Sequence, residues 1–197
     1  MGQVSIRQIA KEAEVSLGMV NHYFGSKDEL YEACIEAMYA ELLLLRETLV
    51  AEALAGGSVS ELIDRAVRAG FRFARAHQPA VRLVMRAVVD KGMLDEARQD
   101  SFQRPFLDQA SQALGTLLDK DPRPLRLVIQ SLNFIVVRYA LGRIEELALI
   151  AGVPASRPKE ALARVETHLV EAAHALLGLP FAGSTHRASE STTPGQS

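Results

Sequence analysis

Apolar residues recur at helical spacing along almost the whole chain, and no stretch alternates in the manner of a strand. Ile6, Ile9, Ala10 and Ala13 fall at i, i+3, i+4 and i+7, which predicts one buried face of a short helix with Arg7, Lys11 and Glu12 on the other. Ser5 and Gln8 have the S-x-x-Q form of a capping box at its start. The pattern breaks at Glu14-Val15-Ser16. Ser16 is placed to cap a second short helix, Leu17–Phe24, whose Val20 and Phe24 face the first. Leu17, Met19, Asn21, His22 and Tyr23 are left pointing outward. Gly25-Ser26 closes that helix, and Ser26-Lys27-Asp28-Glu29 is a second capping box that opens a long helix to about Ala55. Leu30, Cys34, Met38, Leu42, Leu45 and Leu49 run along one side of it, so Cys34 is expected to be packed. Leu42–Leu45 widens that side, as if the helix were covered from two directions.

The same period continues beyond Gly56-Gly57. A third capping box, Ser58–Glu61, opens a helix to about Ala76 with Leu62, Ile63, Ala66, Val67, Gly70, Phe71 and Ala74 inward. Arg65, Arg68, Arg72 and Arg75 recur at helical spacing and are expected on a solvated face, with an acidic ligand as the lesser alternative. His77-Gln78-Pro79 is a break, Pro79–Val89 a shorter helix, and Lys91–Arg104 a loop with a short helix. Pro105–Leu118 is helical, and Asp121 is placed to cap the next helix. Leu125–Leu141 carries Leu125, Val128, Ile129, Leu132, Ile135, Val136 and Tyr139 on one face, with Leu127, Phe134 and Leu141 away from it. Arg143–Ile150 is expected to continue it after a bend at Gly142. Pro158–Leu177 is the last helix, with Leu162, Val165, Leu169, Ala172 and Leu176 at seam spacing. The fold class is therefore all-α: a helix-turn-helix over residues 1–35, a second helical unit over 36–181, and a Ser/Thr/Gly-rich tail over 182–197 expected to be disordered.

Val4–Leu30 has the layout of a helix-turn-helix DNA reader. A helix is narrow enough to enter the major groove, where base edges are distinguishable. Helix N-termini, hydroxyls and a few cations grip phosphates and fix its register. The outward amide, imidazole and phenol of Asn21, His22 and Tyr23 suit that task. On spacing alone the DNA reading is favoured, with an αα-hairpin whose exposed polar residues are merely solvated as the lesser alternative.

Ile9-Ala10, Ala13, Val15-Ser16, Gly18, Val20-Asn21-His22-Tyr23-Phe24, Ser26-Lys27 and Leu30, at these spacings, resemble the DNA-binding signature of the TetR family of bacterial transcriptional regulators. The resemblance covers about the first thirty residues. It implies a homodimeric, ligand-responsive regulator, usually a repressor, with residues 36–181 as the ligand-binding and dimerisation domain. It also implies that Ser5 contacts phosphate, that Leu17, Gly18, Met19, Asn21, His22 and Tyr23 line the groove or backbone, and that Lys27 reaches a phosphate. Ser16, at the N-terminus of the reading helix, is counted with them as a DNA-binding candidate.

Three departures stand out. Glu14 occupies a turn where the family usually has Gly, which predicts a strained backbone angle. Leu17 sits where the family often has a polar or basic residue. A whole helix precedes the motif in that family and covers its apolar face, whereas this sequence begins four residues before Ser5. Truncation, a start set too late, or cover by another surface would account for that, the first two being favoured. Ile6, Ile9, Val15, Val20 and Phe24 are then expected to be partly wet. Charge adds nothing to the DNA reading: in residues 1–30, Arg7, Lys11 and Lys27 face Glu12, Glu14, Asp28 and Glu29, and the net charge of the whole chain is −2.

With 48% hydrophobic residues the chain can bury a sizeable core. A single cysteine excludes an internal disulfide and fits a cytoplasmic protein. Neither a membrane span nor a signal peptide is visible. Leu125–Leu141, apolar nearly all round, and Pro158–Leu177, with small Ala161, Ala163 and Ala175, could form a four-helix homodimer interface, the role those helices have in the resembled family; a monomer core is the alternative. A pocket for an unidentified small-molecule effector is expected among Ser60–Ala76, Pro79–Val89, Pro105–Leu118 and Leu125–Leu141. Phe71, Met85, Phe106, Phe134 and Tyr139 would supply apolar walls, with Gln130, Asn133 and Arg138 as polar groups. An internal hydrogen-bond partner is the favoured account of Asn133, and gap-filling that of Met85 and Met93. No phosphate loop, nucleophile elbow or metal spacing appears, so no enzyme, cofactor or metal is expected. His168 and His174, six apart, fall on different helix faces. The expected function is a DNA-binding transcriptional regulator, holding double-stranded DNA as a homodimer on a palindromic site. The alternative is a helical small-molecule-binding or interaction protein whose DNA reader lacks function for want of its leading helix.

Overall fold

The computed structural model describes residues 5–54 and 56–180, and every regular element among them is helical. The tail expected over 182–197 lies outside the described residues. Helices α1 (Ile6–Glu12), α2 (Leu17–Phe24) and the first turns of α3 (Lys27–Leu54) form a small N-terminal unit. It closes on Ala10, Val20 and Leu30, with Ile6, Ile9 and Phe24 packed around them. Val20 is therefore buried rather than wet, because Leu30 reaches it from α3; Val15 is exposed and the other three are half-buried. Both capping boxes form. The Ser5 amide donates to Gln8 Oε1 at 2.8 Å, and the Gln8 amide to Ser5 Oγ at 3.2 Å. The Ser26 amide donates to Glu29 Oε2 at 2.7 Å, and the Glu29 amide to Ser26 Oγ at 3.2 Å.

The remaining helices are α4 (Val59–Ala76), α5 (Gln78–Lys91), α6 (Glu96–Arg98), α7 (Arg104–Leu118), α8 (Pro122–Ala140), α9 (Ile144–Ile150) and α10 (Pro158–Leu177). A π-helical turn, Gln99–Gln103, joins α6 to α7. Their main core gathers Met38 of α3, Phe71, Ala74, Val81, Ala140, Leu147, Val165 and Leu169. A second core, Ile63, Leu125, Ala173 and Leu177, ties α4 to α8 and α10. Ser58 and Glu61 form the third capping box, and Asp121 caps α8 by accepting from the Arg123 amide at 3.0 Å.

Several expectations need correcting. The segment after Gly142 does not continue α8: α9 turns back at 115° to it and buries Leu147 and Ala148. The four last carbonyls of a helix have no partners of their own. Here Arg75 donates to the Ala140 and Gly142 carbonyls (both 3.2 Å), Gln78 to Ala140 (2.6 Å) and Arg82 to Leu141 (2.6 Å). Burial pushes the Arg75 guanidinium below its ordinary value. The arginines of α4 form a solvated face only in part: exposed Arg65 and Arg72 pair with Glu52 and Glu166, while half-buried Arg68 and Arg75 bond Glu166 and these carbonyls. Cys34 is exposed, not packed, since the buried side of α3 there is carried by Leu30, Ile35 and Met38. On α10 the buried ladder runs Val165, Leu169, Ala173, Leu177, so Leu176 turns outward. A helix of 3.6 residues per turn drifts off a strict seven-residue repeat within three turns.

The Glu166 carboxylate, 12% exposed, accepts from Arg72 Nε (2.9 Å) and Nη2 (2.8 Å) and from Arg68 Nη1 (3.3 Å). The Arg72 hydrogen bonds hold its carboxyl below the usual Glu range. A depressed carboxylate contributes stability above its unfolded-state pKa and loses it as pH falls through the folded value. Glu166→Gln is expected to lower the stability of the helical domain by about 1–2 kcal/mol at neutral pH. In thermal unfolding followed by circular dichroism across an acid titration, the gap to the parent closes once the parent's own carboxyl is protonated.

Candidate nucleic-acid interface and internal cavity

Ser16 starts the second helix with an extended backbone, and its Oγ accepts from the Met19 amide at 3.0 Å. Val20 anchors α2 inward at 6% exposed, which rotates the opposite face to solvent. Gly18, Asn21 and His22 are exposed there, with Met19 at 50% and Tyr23 at 74%; Leu17 is half-buried. The His22 and Tyr23 rings meet edge to face with centroids 5.4 Å apart. Lys27 lies over the Tyr31 ring, 5.3 Å from its centroid, at the start of α3. The Ser5 hydroxyl donates to Gln8 Oε1 at 3.0 Å, so giving its proton to a phosphate requires that bond to open.

Two backbone features belong to this surface. Glu14 sits in the turn with φ +56°, the left-handed region predicted for it. At Gly18 a Cβ would meet nothing but Ser16 Oγ at 3.9 Å. The fold does not demand glycine there, although glycine is a poor helix former; the bare backbone instead leaves room for close approach from outside. The exposed side chains and the Ser16-capped helix N-terminus fit a duplex groove.

Residues 1–34 match the family of bacterial regulatory proteins described as the tetR family. Residues 1–34 therefore carry a DNA-binding domain of the TetR type. That domain supports a DNA-binding transcriptional regulator of the TetR type. No curated protein and no solved structure shows a significant match to the chain.

Behind the TetR-type reader, a cavity of about 540 Å³ lies between α3, α4, α5, the π-helical turn, α7 and α8. Of the eight ligand candidates, Met85, Phe106, Gln130, Asn133 and Phe134 line it. Phe71, Arg138 and Tyr139 lie outside. Phe71 is fully buried in the main core, and Arg138 turns to Glu146 at 2.5 Å. Tyr139 packs edge-on to His168, centroids 5.8 Å apart. Asn133 has no internal hydrogen-bond partner among the described residues and is exposed at the cavity, contrary to expectation. Met85 and Met93 both line the cavity rather than fill gaps.

The missed wall is α3: Met38, Tyr39, Leu42, Leu45, Arg46 and Leu49 all face the cavity. The widened apolar side at Leu42–Leu45 was the available signal. Gln99, Phe102 and Gln103 come from the π-helical turn, a geometry frequent at functional sites. Phe102 stacks between Tyr39 and Phe106, at 4.5 Å and 5.7 Å between centroids. Burial, with Asp95 nearby, pushes the Tyr39 phenol up to about 12, so it remains a hydrogen-bond donor. Arg98 bridges Asp95 and Glu32, fastening this turn to the reader end of α3.

The histidines do not assemble into a site. His174, 2% exposed, links Asp64 (Nε2, 2.7 Å) to the Pro180 carbonyl (Nδ1, 2.9 Å). No group of three or more His, Cys, Asp or Glu among the described residues is placed to hold a metal. Among the same residues no single helix is long and apolar enough to cross a membrane.

Glu14→Gly is expected to stabilise the reader by about 1 kcal/mol in urea unfolding, by relieving the left-handed backbone. Gly18→Ala should also stabilise, by roughly half a kcal/mol. If the bare backbone serves close approach to DNA, the same Gly18→Ala weakens DNA retention in a mobility-shift assay while raising the melting midpoint.

Proposed function

We propose that this protein is a ligand-responsive repressor that binds a palindromic operator as a homodimer in the cytoplasm. Residues 1–35 form the reader, and residues 36–181 the effector-binding and dimerisation domain. The observation that carries this reading is that one helix serves both parts. Leu30 of α3 sits in the reader core, and Met38 to Leu49 of the same helix line the cavity. At 1.5 Å per residue, Leu30 lies roughly 18 Å from Leu42. A tilt of about 10° about Leu42 would move the reader by roughly 3 Å, enough to spoil groove registry. A coupling of a few kcal/mol between cavity and reader moves operator occupancy strongly.

Dimerisation through α8 and α10 is supported by apolar side chains those helices leave outside. Leu127 is 75% exposed on α8, and Leu176 is 44% exposed on α10. Paired across a two-fold axis, these faces would make a four-helix interface. Two readers about 34 Å apart would then meet successive major-groove faces. Ser5, Ser16 and Lys27 would hold phosphates, while Leu17, Gly18, Met19, Asn21, His22 and Tyr23 meet the groove or its edge.

The test is DNA retention on intergenic DNA upstream of the coding sequence, with parent and an Asn21→Ala plus Tyr23→Ala variant. We expect specific retention by the parent and a loss of at least about tenfold in the variant, which should melt at the parental temperature. Equal retention would favour a helical small-molecule-binding protein with a silent reader. Light scattering coupled to size exclusion should report a dimer for the parent and a monomer for Leu127→Glu.

A further inference from the structure

We propose that the cavity recognises an organic acid, an elongated apolar chain ending in one carboxylate, and that Arg46 receives the carboxylate. This deepens the effector-binding reading and rests on it.

Arg46 is the one charged side chain among the described residues that line the cavity. It is half-buried on α3 and has no ion pair or hydrogen bond to any described residue. Its situation is unlike that of the other arginines of the helical domain. From Arg65 to Arg164, each described arginine has a carboxylate or a backbone carbonyl as partner. A guanidinium drawn partly out of water without a counter-charge is unfavourable, and a bidentate carboxylate is the partner that best matches its planar fork.

The remainder of the lining selects the rest of the ligand. No described Asp or Glu lines the cavity, so a cationic ligand would meet a like charge and no counter-ion. The walls are otherwise aliphatic, methionine and aromatic, which suits a hydrocarbon chain. The other polar groups are the Tyr39 phenol and the amides of Gln99, Gln103, Gln130 and Asn133. Of these amides only Gln99 is engaged among the described residues, donating to the Leu94 carbonyl at 2.6 Å. The free amides and the protonated phenol can donate to a second carboxylate oxygen or to an ester-like group on the ligand.

Gly70 supplies an independent sign that the space is kept open. It lies inside α4, on the cavity wall, and a Cβ built there meets nothing within 4 Å. Alanine would fit and would form helix better. Glycine at that place widens the floor of the cavity by the volume of a side chain.

The experiment uses the full chain and three ten-carbon probes, decanoate, decylamine and decanol, each below its micelle or solubility limit. Binding is read by titration calorimetry and by the shift in melting midpoint, which rises with ligand concentration over Kd. We expect decanoate to bind once per chain, about tenfold or more tighter than either other probe. Arg46→Gln should lose that advantage while keeping decanol binding, and Arg46→Lys should recover part of it. Gly70→Leu, which fills the floor without touching charge, should weaken all three probes yet unfold cooperatively near the parental temperature. Equal affinity for the three probes, preference for decylamine, or unchanged decanoate binding by Arg46→Gln would overturn the acid assignment and leave an apolar effector pocket standing. Binding of none of the probes by the parent would remove both.

Discussion

Helix α3 is held in two cores at once. Leu30 closes the small N-terminal core, and two turns later Met38 enters the main one. Because both are packed to low exposure, neither end can move without disturbing its neighbours. The placement of the reader, the lining of the cavity and any coupling between them all depend on that double anchoring. Arg98 reinforces it by tying the π-helical turn, itself cavity wall, to Glu32 on the reader side of α3.

Around α3 the helix ends are satisfied by side chains from distant elements. The C-terminus of α8 lacks a glycine cap and is closed by Arg75, Gln78 and Arg82. The turn between α7 and α8 is held by Lys120, whose ammonium donates to the Leu177 carbonyl at 2.5 Å at the end of α10. Gly115 permits this turn, since a Cβ there would come within 2.9 Å of the Lys120 carbonyl oxygen. Glu166 gathers Arg68 and Arg72 and so clamps α10 to α4. Polar groups thereby fix how the helices are oriented, while the apolar stripes supply most of the driving force.

Much of this was legible in local spacing. Each short-range device, the three capping boxes, the Asp121 cap and the left-handed Glu14, involves residues within four positions of one another. Such interactions survive in the isolated sequence because the chain itself brings the partners together. The outward face of Leu17–Phe24 was equally readable, as Val20 and Phe24 mark the inward one. Cys34 and Leu176 were misplaced for a shared reason. Apolar spacing shows which side of a helix is buried only to within about one residue, and the real stripe followed Ile35 in one helix and Leu177 in the other.

The sequence alone therefore determined the helices, their caps, the all-α class and the DNA-reading character of the N-terminal unit, because these rest on contacts a few residues long. Tertiary structure decided what no window can contain. It turned α9 back across α8, gave Arg68, Arg72 and Arg75 of α4 partners 65 to 98 residues away, and left Arg46 without one among the described residues beside a cavity. A cavity is the gap between helices distant in sequence, so its walls and the charge set into them exist only after those helices have packed.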